Sequence, residues 1–106
     1  MPKIFQRSYA AFQDIVKERG NQLRKLAYNQ LKQLDEPTEY FKVESRPARV
    51  SIIVLSLSGD ELIVVVQGFL KVRFVPLISK VALDGFHKFS DGSMAPLTRE
   101  ETWRFD

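Results

Sequence analysis

The chain has no cysteine, one histidine, one tryptophan and only five glycines among its 106 residues. Without cysteine there can be no disulfide, thiolate metal ligand or thiol nucleophile, and the composition leans toward a reducing compartment. A lone histidine, His87, cannot assemble a histidine-rich zinc site. The glycines form no phosphate-cradling loop, and no serine sits in a Gly-x-Ser-x-Gly elbow. Long apolar runs are also missing. The longest, Leu62 to Val66, falls far short of the roughly 20 residues that span a bilayer. The opening residues Met1 to Phe5 lack the apolar core of a secretory signal. A soluble cytoplasmic protein without a membrane segment is the expectation.

What remains is an ordinary globular mixture, 44% hydrophobic and 27% charged. The length suits one domain, large enough to bury one modest core without staples. The net charge of +3 is unevenly placed, because residues 1–36 hold seven basic and four acidic side chains while the rest of the chain is balanced.

From Phe5 the apolar positions Tyr9, Phe12, Val16, Leu23, Ala27, Leu31 and Leu34 follow at helical spacing. Gly20 falls on the stripe and either ends one helix or marks a close contact with a sheet. The stripe keeps its phase across it, which predicts one long amphipathic helix from about Ser8, as N-cap, to Leu34, with Pro37 barring continuation. The period then changes to two. Strands are expected over residues 39–45, with Pro47 in the following turn, over 49–57, and from 62 to 74 with a bend or break at Gly68. Pro76 closes that stretch. Asp84-Gly85 and Asp91-Gly92 read as hairpin turns that divide the remainder into short strands. Thr98 with Glu101 three residues later is a capping box, predicting a closing helical turn that packs Trp103 on the sheet. The expected fold is α+β: a long N-terminal helix on one face of a four- to six-stranded antiparallel meander.

The second face of that sheet needs a cover, since Ile52 to Leu55 and Leu62 to Val66 are apolar on both sides. Three occupants suggest themselves. The chain's own Phe86, Phe89, Met94, Leu97 and Trp103 could fold over it. A second copy could pair through Ile53, Ile63, Val65 and Phe69, giving a homodimer. An apolar ligand could sit in a cavity lined by Phe12, Val66 and Leu70.

Catalytic chemistry finds little footing. His87 as a general base needs an orienting carboxylate, and Asp84 and Asp91 are better explained by turns. Asp60-Glu61 falls at a hairpin and Glu100-Glu101 in a helix cap, so no carboxylate pair argues for acid–base work. No catalytic residue, cofactor or metal site is assigned, and the reading leans against an enzyme. On the helix, Arg24, Lys25 and Lys32 stand among amide side chains without an intervening acid, a surface able to meet nucleic-acid phosphates. The leading expectation is a non-enzymatic interaction module that self-associates through the second sheet face. Nucleic-acid binding by the helix, or an apolar-ligand cavity, are the alternatives.

Overall fold

A computed structural model describes residues 3–35, 37–71 and 79–105, with side chains from Gln6 onward. The order of elements is α1 (Lys3–Arg24), α2 (Tyr28–Lys32), β1 (Thr38–Val43), β2 (Arg46–Ser58), β3 (Glu61–Lys71), β4 (Ser79–Phe89), β5 (Met94–Pro96) and α3 (Arg99–Phe105). The five strands form one antiparallel sheet in sequence order, a meander, with α1 across one face. The α+β architecture expected from the change of period is the one observed.

Alternation along the strands decides the two faces. Toward α1 point Val50, Ile52, Val54, Val64, Val66, Leu70, Ala82 and Phe86, and the helix answers with Phe12, Val16 and Leu23 in one continuous core. Each fully buried large side chain in it contributes about 1.5–3 kcal/mol relative to exposure. Gly68 does not bend β3, which runs unbroken from Glu61 to Lys71. Its role is clearance: a Cβ there would lie 2.6 Å from Phe12 and 2.8 Å from Val16. Phe12, Val66 and Leu70 are fully buried, and this close approach fills the space between helix and sheet.

The N-terminal helix differs from the single span expected. It breaks not at Gly20 but at Lys25–Ala27, where Lys25 and Leu26 donate their N–H groups to the carbonyls of Gln22 and Leu23 and Ala27 turns extended. The break re-aims the chain so that Leu31 enters the core, while the Tyr28 hydroxyl donates to the Gly59 carbonyl at the β2–β3 turn, 2.9 Å. Side chain Gln30 accepts the Ala27 N–H and starts α2. Ser8 is no N-cap. It lies buried inside α1 and donates to Glu44.

Two turn assignments also change. The β1–β2 hairpin closes at Glu44-Ser45, both with positive φ, and Pro47 lies within β2 opposite Lys42. Two consecutive left-handed residues make the turn that matches strand twist, and Arg7 and Ser8 hold the Glu44 carboxylate there. Asp84-Gly85 is no turn either, since β4 passes straight through it. Asp91-Gly92 does turn, with Asp91 accepting from the Ser93 N–H at 2.8 Å and Gly92 at φ 93°. The end of the third strand at residues 72–74, and Pro76, lie outside the described residues.

Candidate functional site

Three places gather the residues singled out above: the basic helix, the half of the second sheet face under α3, and the half left open.

On the helix, Arg24 is engaged. Its guanidinium forks onto the Asp84 carboxylate at 2.6 and 2.9 Å and also reaches the Gly85 carbonyl. The reason Asp84 sits mid-strand is this pairing. It occupies the helix-facing side of β4 opposite Val66, beside Gly20, where a Cβ would collide with its carboxylate oxygen. Burial works against the charged form of Asp84, but Arg24, with Lys17 behind it, holds the carboxyl below its usual range. Gly20 is thus the slot that lets a half-buried ion pair pin α1 to β4. Lys25 and Lys32 remain exposed, Lys32 lying 5.9 Å from the Tyr28 ring centre.

The second face is partly covered by the chain's own C-terminus. Leu97 packs over Gly85, and Gln67 donates to the Phe105 carbonyl. Thr98 and Glu101 form the expected capping box, with Glu101 accepting the Thr98 N–H and Thr98 Oγ1 accepting the Glu101 N–H. Glu101 then does a second task. His87 Nε2 lies 2.8 Å from it, and Nδ1 lies 2.7 Å from Glu61. Glu61 is the diagonal cross-strand neighbour of His87, because it pairs with Phe89 and His87 pairs with Ile63. Burial disfavours the charged imidazole, yet Glu101 and Glu61 outweigh it and raise the His87 pKa. With both ring nitrogens bonded to carboxylates, His87 has neither lone pair nor free N–H to offer a substrate. It is a clasp for α3. No group of histidines and carboxylates among the described residues is arranged to hold a metal ion.

Under this cover Ile63 and Val65 are fully interior, so two of the four residues expected at a self-association surface are filled by the protomer itself. Of the expected covering residues, Leu97 packs on this face and three others do not. Phe86 points into the α1 core, Met94 is exposed on the helix side, and Trp103 projects outward instead of packing on the sheet.

Beyond α3 the face is open. Among the described residues the exposed large hydrophobics are Tyr40 (77%), Leu55 (41%), Leu57 (50%), Trp103 (75%) and Met94. Tyr40 and Leu55 lie on this side by register and Trp103 on α3, while Leu57 sits at the β2 irregularity between Ser56 and Ser58, two residues from Leu55. Half-buried Ile53 continues the strip toward Val65. At the other end of β2, Tyr40, Arg49 and half-buried Phe69 align across three strands, and the Arg49 guanidinium lies 4.5 Å above the Phe69 ring. Sequence reading marked Leu55 as part of an apolar stretch but did not place it, Leu57 or Tyr40 at an association surface, although strand alternation alone sets Leu55 in line with Ile53.

Comparison of the chain with protein-family models, curated proteins and solved structures finds no match. No helix among the described residues is long and apolar enough to cross a membrane.

Proposed function

We propose that the protein is a non-enzymatic interaction module that self-associates through the open half of its second sheet face, along Ile53, Leu55 and Leu57. The observation that carries this reading is the clustering of its exposed large hydrophobics on one side of the sheet, after the chain has used α3 to cover the rest. Exposed apolar surface gathered in this way marks an interaction site.

A second copy is the favoured partner on electrostatic grounds. A twofold axis sets a patch against a copy of itself, with residues near the axis meeting their own equivalents, so a self-pairing patch must avoid charges of a single sign. From Ser51 through Leu55 the outward positions of β2 are Ser51, Ile53 and Leu55, with Leu57 following at the bulge, and all four are uncharged. Phe69, the fourth residue of the original set, falls instead beside Arg49 and outside this strip.

Replacing Leu55 and Leu57 together by aspartate tests the reading. Both are exposed, so the monomer keeps its core, and sedimentation should show a folded monomer in place of a dimer. A double variant with the same association state as the parent would sink the proposal. Charged substitutions at Ile63 or Val65 would not discriminate, because they disrupt the interior directly.

A further inference from the structure

The other end of the same face carries a concavity of about 350 Å³, lined by Tyr40, Pro47, Ala48, Arg49, Phe69, Lys71 and Ser79. We propose that this groove binds a nucleotide, free or as one unit of a single strand, with the base on the Tyr40–Arg49–Phe69 shelf and the phosphate at Lys71. The inference is argued from different residues than self-association, and on β2 their nearest members, Arg49 and Ile53, lie about 13 Å apart along an extended strand.

Four features of the groove support this assignment. Its floor is built for stacking. Register places Tyr40, Arg49 and Phe69 side by side on adjacent strands, with Tyr40 almost wholly exposed. The guanidinium already lies over Phe69 and Arg49 is exposed, so a base can stack on it as on an aromatic ring. Its charge has one sign. No acidic residue is among the described residues that line the groove, and Lys42 extends the cationic rim two residues along β1 from Tyr40 on the same face. Ion pairs among the described residues include Arg19–Glu39, Arg24–Asp84 and Lys17–Asp84 on the helix side, Arg7–Glu44 at the β1–β2 turn and His87 with its glutamates under α3. Its size fits. A volume of this order is at the lower end of small-molecule sites. Finally, the shelf is accessible, because Tyr40 and Arg49 are exposed.

The chemistry differs from that of the helix surface read from the sequence. There, cations and amides alone would meet phosphates. Here an apolar shelf adjoins the cations, and a ligand needs both a flat ring and a negative charge to use it. A purely anionic polymer would gain only the second.

Fluorescence anisotropy with labelled oligothymidylate, oligouridylate and thymidine monophosphate, each competed with inorganic polyphosphate, tests the inference on the full chain. The groove predicts saturable binding that base-free polyphosphate displaces poorly. For the strand, three cations predict a logarithmic salt slope of about −2. Tyr40→Ala or Arg49→Ala should weaken binding about tenfold, the loss of one stacking contact, while Tyr40→Phe keeps it. Both positions are exposed, and unchanged circular dichroism confirms that the variants fold. Comparable affinity for the mononucleotide identifies a free nucleotide as the ligand, and binding of the oligonucleotides alone identifies a strand. Absence of binding to all three probes, equal displacement by polyphosphate, or loss of binding on Lys25→Ala/Lys32→Ala with none on Arg49→Ala would overturn it.

Discussion

Single residues at the helix–sheet contact are set by clearance more than by propensity. Gly20 shows this most plainly. In an exposed helix interior, alanine in place of glycine gains about 1 kcal/mol. Here the added methyl meets the Asp84 carboxylate, which is paired with Arg24 and only 10% exposed at its side chain. Displacing one member of a half-buried ion pair costs about 2 kcal/mol or more. Gly20→Ala should therefore destabilise the protein by about 1 kcal/mol or more, as measured by urea unfolding. In an Asp84→Ala background the same change should become neutral or stabilising, since the obstacle is gone. A stabilising effect in the parent chain would show that the pair does not depend on this slot. Gly20 was legible in the sequence as a close contact. Its partner was not, because Asp84-Gly85 imitates a hairpin turn and only the uninterrupted β4 reveals its other use.

At the scale of elements, α3 is the piece held by charge. Its clasp needs a protonated His87 and two ionised glutamates. The sign follows from the shifts. The His87 pKa is raised in the folded state, so its contribution is fully present below the unfolded value near 6.5 and is lost as pH rises through the folded one. The Glu101 pKa is lowered by the Thr98 N–H and by His87, so its contribution is lost as pH falls through the acidic range. The clasp is therefore strongest at mildly acidic to neutral pH. Thermal unfolding should show parent protein more stable than His87→Gln in that window, with the gap narrowing as pH is raised into the alkaline range. A gap that stays constant with pH would mean that His87 contributes packing alone. The capping box that starts α3 was readable from Thr98 and Glu101. The clasp was not, because Glu61 and Glu101 lie 26 and 14 residues from His87 and meet it only through the β3–β4 register and the docking of α3. For the same reason Trp103, though apolar, could not be placed: which side of a short helix faces the sheet is decided by Glu101 and the Phe105 carbonyl.

For the whole molecule, the change from helical to alternating period was sufficient to give a helix followed by an antiparallel meander. The two-sided apolar centres of β2 and β3 pointed to a covered second face. How that cover is divided was not written in either strand. Ile63 and Val65 look equivalent to Ile53 and Leu55 in sequence, yet the first two are sealed by α3 while Leu55 stays open and Ile53 only half-closed. The division leaves a face with three zones: a clasped half, an uncharged apolar strip, and a cationic aromatic groove. The first stabilises the protomer, and the other two are the surfaces proposed for partners of different chemistry.

Native mass spectrometry of the unmodified protein tests the central claim most directly, because it weighs the assembly itself. Self-association through the β2 strip predicts a principal species of twice the 12.2 kDa chain mass, dissociating on dilution. A chain that stays at its single mass at every concentration tried would contradict the account and leave Leu55 and Leu57 without a partner of their own kind.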